Sequence, residues 1–128
     1  MSATILQVNF TFHSTRIKYE AACEPLATPI ASLPSLGWKI WLMNEPDQEA
    51  GGIYCFADAT AATAFRHTLE AMLGGDPAYS HLSIKQYGVL EALTALTRGP
   101  VAPASGAVTF SQMAAVAAAV TPALSPAV

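Results

Sequence analysis

The segment Glu49-Ala50-Gly51-Gly52-Ile53-Tyr54-Cys55-Phe56 constrains the fold more than any other part of this chain. Its paired glycines stand where a turn hands over to a strand, and they permit a bulge or a close approach of two backbones. Upstream lies a second aromatic strand, Trp38-Lys39-Ile40-Trp41, and the intervening Asn44-Glu45-Pro46-Asp47-Gln48 is made of turn-forming residues. The two strands therefore form a hairpin, and that hairpin is the centre of the fold.

Residues 5–12 alternate Leu6, Val8, Phe10 and Phe12 with Gln7, Asn9 and Thr11, the period of two of a strand with one apolar face. Ser14 or Thr15 can cap a helix running to about residue 33. Pro25 and Pro29 each remove a backbone donor, so this helix is expected to kink or end early. Within the hairpin, alternation puts Trp38, Ile40 and Leu42 on one face and Trp41 and Met43 on the other. From Asp58, a candidate N-cap, the Phe65, Leu69, Met72 and Leu73 spacing predicts an amphipathic helix that stops at Gly74-Gly75-Asp76-Pro77. A last strand is expected over residues 81–87 and a short helix over 88–98.

The order strand, helix, strand, strand, helix, strand is that of the ferredoxin-like α+β fold with an antiparallel sheet. Helices cover only one face of such a sheet. The aromatic side chains on the other face need cover, and a second copy of the chain would supply it, so a homodimer is expected. Residues 1–98 form this domain, whereas residues 99–128 shift to Ala, Pro, Val and Ser. That extension is either a low-complexity tail or carries a helix at 109–120, which would pack over a pocket or onto the partner subunit.

Composition narrows the class. With 12% charged residues and a net charge of −3, nothing draws the chain to nucleic acid. Its hydrophobic share of 52% leaves apolar surface for a subunit or a ligand. No run approaches the roughly 18 apolar residues of a membrane span. Cys23 and Cys55 lack metal-ligand spacing, and no basic region followed by an apolar run opens the sequence, so a reduced, cytoplasmic protein is expected. Phosphate loops, dinucleotide-binding glycine fingerprints and nucleophile elbows are absent from the sequence.

Pro25-Leu26-Ala27, the Trp38-Lys39-Ile40-Trp41 strand and Glu49-Ala50-Gly51-Gly52-Ile53-Tyr54-Cys55-Phe56 followed by Asp58 resemble the YdhR family of mono-oxygenases over about residues 4–97. The resemblance implies the dimeric α+β barrel, and its relatives include cofactor-independent oxygenases of polycyclic phenols, haem-degrading oxygenases, lactone isomerases and polyketide cyclases. It implies a small aromatic or polycyclic phenolic substrate and dioxygen, with no metal or organic cofactor. The alternatives are a polyketide cyclase, a lactone-type isomerase, or a dimer that binds a small molecule without chemistry.

A pocket for such a substrate belongs between the helices and one sheet face. Barrel relatives place a polar residue on the first strand toward the pocket, which makes Asn9 the leading polar candidate, against a solvent-facing or dimer-facing role. Tyr54 can hydrogen-bond a substrate anion from the wall, although a strand Tyr is more often a packed aromatic. His13, at the end of the first strand, is the third catalytic candidate, and a turn His without a role is the commoner case. Trp38, Trp41, Phe56, Phe65 and Tyr87 are the candidate substrate-binding aromatics; by alternation at most one of Trp38 and Trp41 lines the pocket. His67 falls off the apolar stripe of its helix and should be solvated, and the family's helix histidine would lie nearer Leu69, where this chain has none. His13, His67 and His81 are scattered without the spacing of a metal site.

Overall fold

The computed structural model describes residues 3–101. The proposed helix at 109–120 lies outside them. The element order is β1 (Thr4–Phe12), α1 (Arg16–Ala31), β2 (Leu36–Asn44), a 3₁₀ turn (Glu45–Asp47), β3 (Glu49–Phe56), α2 (Ala59–Gly74), β4 (Tyr79–Gly88) and α3 (Glu91–Leu96). The strands form one antiparallel sheet in the order β2-β3-β1-β4, and this is the ferredoxin-like α+β fold expected above.

Alternation in β1 decides which sheet face is the core. Leu6, Val8, Phe10 and Phe12 are buried under the helices, while Gln7 is exposed on the opposite face. Each large side chain removed from water in this way contributes about 1.5–3 kcal/mol. From β3 come Ala50, Tyr54 and Phe56, and from α2 Ala62 and Leu69. Phe10, Phe12, Tyr19 and Tyr79 make one aromatic cluster, with the Phe10 and Tyr79 rings edge to face at 4.9 Å. Tyr54, Phe56 and Phe65 make a second, with centroids 5.1 to 6.3 Å apart.

The helix starts follow their caps. Thr15 accepts from the Lys18 amide at 3.2 Å, and Asp58 accepts from the Ala61 amide at 2.8 Å. Both prolines were expected to interrupt α1, yet it continues through Pro25 and Pro29 to Ala31. Proline deprives the carbonyl four residues back of its donor, here at Ala21 and Pro25. Both residues are exposed, so the freed carbonyls are open to solvent rather than buried without a partner, and the helix can continue.

The hairpin loop ends in Gln48, which adopts the left-handed conformation at φ 55°. Its side-chain amide donates to the carbonyls of Phe12 at 3.1 Å and Ser14 at 2.9 Å, tying the hairpin tip to the end of β1. The paired glycines serve close approach rather than a bulge, since β1 and β3 run in unbroken register through Asn9 opposite Gly51 and Val8 opposite Gly52. A Cβ on Gly51 would lie 1.8 Å from the Val8 carbonyl oxygen.

β4 is longer than residues 81–87, and His81 sits inside it rather than opening it. At φ 55°, His81 forms a bulge where the pairing with β1 slips between Asn9 and Thr11. The slip changes the alternation, so that Tyr79 joins the same core as Leu82 and Ile84. After β4 the chain turns back over the open end of the sheet, where Glu91 accepts from the Ala3 amide at 2.8 Å and the Pro100 carbonyl accepts from the Trp38 indole at 3.0 Å.

Candidate functional site

A cavity of about 230 Å³ lies between α1, α2 and the helix-facing side of the sheet. Val8 and Phe10 form part of its floor, Tyr19, Cys23 and Ile30 line it from α1, and Phe65, Leu69 and Leu73 line it from α2. Tyr54 stands in its wall and Tyr79 closes it toward β4. Leu26, Trp41 and Met72 line the cavity while being 40 to 54% exposed, and so mark its mouth. The cavity is apolar and aromatic, the surface that a flat organic molecule requires.

Register decides which candidate residues reach it. Pairing of β1 with β3 puts Tyr54 opposite Leu6, on the helix side, and Asn9 opposite Gly51, on the other side. Asn9 and Tyr54 therefore do not face one pocket, and Asn9 is instead within 3.4 Å of the Gln7 side chain on the open face. Pairing of β2 with β3 places Trp41 opposite Gly52, inside, and Trp38 opposite Cys55, outside. The choice that alternation left open falls to Trp41. Phe65 lines the cavity; Phe56 stacks behind Tyr54 without lining it. Tyr87 pairs with Ile5 on the open face, away from the cavity. His13 bonds Ser80 at 2.7 Å in an exposed position and is not among the lining residues. His67 is solvated beside Glu70, as expected.

Lys39 is the site residue that strand reading passed over. It lies opposite Tyr54 in the pairing of β2 with β3, and its side chain crosses the bare backbone of Gly52, where a Cβ would meet Lys39 Cε at 2.7 Å. Its Nζ rests 3.2 Å from the Trp41 ring centroid and 4.5 Å from that of Tyr54. Burial against these rings disfavours the charged amine and brings its pKa from 10.5 down to about 8, with the nearby Cys23 opposing weakly. The signal was the parity of positions 39, 41 and 43, which puts a lysine on the same face as Trp41 and Met43.

The remaining polar groups of the cavity are phenols and a thiol. Burial, and then the proximity of Cys23, raise the pKa of Tyr54, so this phenol stays protonated and can donate a hydrogen bond at any ordinary pH. Tyr19 is raised by burial and by its hydrogen bond with Cys23, and Tyr79 by burial. Cys55, sealed on the other face at 3% exposure, is pushed up to about 11 by burial. Among the described residues no cluster of His, Cys, Asp and Glu could hold a metal ion, and no helix is long and apolar enough to cross a membrane.

The depressed Lys39 pKa has a measurable consequence for stability. Between pH 8 and 9 the unfolded chain holds a proton on Lys39 that the folded chain increasingly lacks, so stability rises with pH there. Above pH 9 the buried Cys55 thiol keeps a proton that the unfolded chain releases and offsets the Lys39 gain, and as pH passes 10 the buried phenols of Tyr19, Tyr54 and Tyr79 do the same, so that stability turns down. Urea unfolding at pH 7.5 and 9 should show the rise in the wild type and none in Lys39→Met; an equal rise in both would remove Lys39 as its source.

Comparison with known proteins agrees with the fold. The profile of a family described as "Putative mono-oxygenase ydhR" matches residues 5–100. The chain belongs to the ydhR family. The match takes in three strands whole and all of β1 but Thr4, both long helices and every residue lining the cavity of this ydhR-family chain. A crystal structure of a Nitrosomonas europaea protein of unknown function is similar at 19% identity and a TM-score of 0.50, over 70% of this chain and 91% of that one, and shows the shared fold alone. No curated protein matches the chain.

Proposed function

We propose that this ydhR-family protein is a mono-oxygenase of a small planar phenol, working without a metal or organic cofactor. The observation that carries this reading is the cavity itself, an apolar, aromatic slot whose polar groups converge at Lys39 and Tyr54. A phenol brings its own electrons to such a site. In the conversion of a hydroxyarene to a quinone, the O–H bond and the ring C–H bond para to it break, and one atom of dioxygen becomes the new carbonyl. The other atom leaves as water with the two hydrogens. The four electrons that reduce dioxygen all come from the ring, so no external reductant is needed. The protein supplies an apolar chamber, a group that holds the developing phenolate and a donor such as Tyr54.

Oxygen-electrode measurements with a panel of naphthols test this reading on chelator-treated protein free of flavin and haem absorbance. One dioxygen should be consumed per quinone formed. Conversion without oxygen uptake would instead favour the isomerase or cyclase chemistry found among barrel relatives.

The homodimer belongs to the same reading. On the sheet face away from the helices, Ile40 is 49% and Tyr87 47% exposed, beside the half-buried Trp38 and Ile53. Two such faces packed together would remove this apolar surface from water. Light scattering at micromolar concentration should report a dimer for the wild type and a folded monomer for Ile40→Asp, which would bury two opposed carboxylates. A wild-type monomer would overturn the assembly.

A further inference from the structure

We propose that Lys39 seats the acidic group of the ligand, so that the cavity selects aromatic rings carrying a phenol or a carboxyl group over neutral hydrocarbons. This rests on reading the cavity as the ligand site, and it names the ligand class that the cavity takes.

The position of Lys39 is hard to explain as structure alone. It is half-buried, and among the described residues its ammonium makes no ion pair: the four present join Arg16 to Glu20 and Glu45, and Arg66 and His67 to Glu70. No hydrogen bond ties Nζ to a described residue either. What faces it are rings, with Trp41 at 3.2 Å and Tyr54 at 4.5 Å. Rings offset part of the cost of taking a charge out of water, but they leave its N–H donors unused. An anion on a ring compound lying in the slot would complete the shell: the rings of Trp41, Tyr54 and Phe65 take the ligand's faces and edges, and Nζ takes its oxygen.

The proton balance is simple for both ligand classes. A carboxylate arrives ionised and meets the ammonium. A phenol arrives neutral and gives its proton to the free amine: the O–H bond breaks, an N–H bond forms, and the product is an ammonium and phenolate pair with nothing else consumed. The groups that share the chamber with Nζ are Tyr19 and Cys23 on α1, Tyr54 on β3 and Tyr79 on β4, while α2 contributes only apolar side chains. Glu20 and Glu24 line an adjoining groove that shares Tyr19, Cys23 and Trp41 with the cavity, and neither carboxylate is among the residues lining the cavity itself. The amine is therefore the one basic group in the described lining of the cavity.

Equilibrium dialysis under argon with 2-naphthoate and naphthalene tests the assignment without any turnover. The wild type should bind naphthoate about 10- to 100-fold more tightly than naphthalene, the scale of one charged hydrogen bond. Lys39→Met should lose that preference and keep naphthalene affinity within about threefold, whereas Lys39→Arg should retain most of it. Should Lys39→Met fail to fold, the wild type decides: its naphthoate affinity should fall about tenfold per pH unit above pH 8 while naphthalene binding stays flat. Equal affinity for the two probes, a preference that survives in Lys39→Met, or a flat naphthoate curve from pH 7 to 10 would each overturn the proposal. Selective naphthoate binding without oxygen uptake would leave Lys39 in place and reject the oxygenase reading; oxygen uptake with equal binding would do the reverse.

Discussion

Gly51→Ala should yield a protein with no cooperative unfolding transition. The new methyl carbon would stand 1.8 Å from the Val8 carbonyl oxygen and 3.0 Å from the Asn9 Cα, atoms of the neighbouring backbone that have no rotamer to change. Relief requires β1 and β3 to part, and these are the two inner strands of the sheet. Parting them strips Leu6, Val8 and Tyr54 of cover and breaks ladder hydrogen bonds, a loss beyond the 4 to 5 kcal/mol that marks an exceptional substitution. Gly52→Ala is the informative contrast. Its methyl meets the movable Lys39 Cε at 2.7 Å and the Ile40 carbonyl oxygen at 3.0 Å, on an edge strand that can shift by a few tenths of an ångström, so the chain should fold, at a cost of about 1 to 3 kcal/mol, with the Lys39 ammonium displaced from Trp41. Circular dichroism through a urea titration separates the two, and a native-like midpoint for Gly51→Ala would show the contact to be soft.

Turnover of a naphthol by Lys39→Met should fall by about 100- to 10,000-fold in kcat/KM, the contribution of a positioned general base. The pH profile carries the diagnosis. A neutral amine must meet a neutral phenol, so wild-type kcat/KM should climb about tenfold per unit up to pH 8, level off, and fall as the free phenol ionises near pH 10. Carboxylate binding slopes the opposite way across the same pKa, because it needs the ammonium already formed. Asn9→Ala should leave both profiles untouched, since Asn9 faces away from the cavity. Wild-type kcat/KM in Lys39→Met would take the base out of this residue.

The layers of the fold were legible in the residues themselves. The alternation of Leu6, Val8, Phe10 and Phe12 set the buried face of β1, and Asp58 with the Phe65 and Leu69 stripe set α2, because both signals are local. What local signals cannot carry is register. Strand order made Asn9 and Tyr54 neighbours, but whether they share a face depends on the left-handed Gln48 at the hairpin tip and on Gly51 lodged against Val8. One residue of slip would have reversed the answer. The bulge at His81 was equally hidden, since a histidine at positive φ leaves no mark in hydrophobic periodicity. Lys39 was missed for a different reason. A charged residue in a strand reads as solvent-facing, and only its shared parity with Trp41 argues otherwise.

The sheet order also bears on how this scaffold can change its chemistry. β2 has a single neighbour, so Lys39 and Trp41 hang on the rim of the sheet while Leu6, Val8 and Phe12 sit two strands inward. Exchanging the rim residues rewrites what the chamber recognises and leaves the aromatic clusters that keep the chain folded intact. A library confined to positions 39 and 41 would therefore explore new ligands with little loss of folded yield.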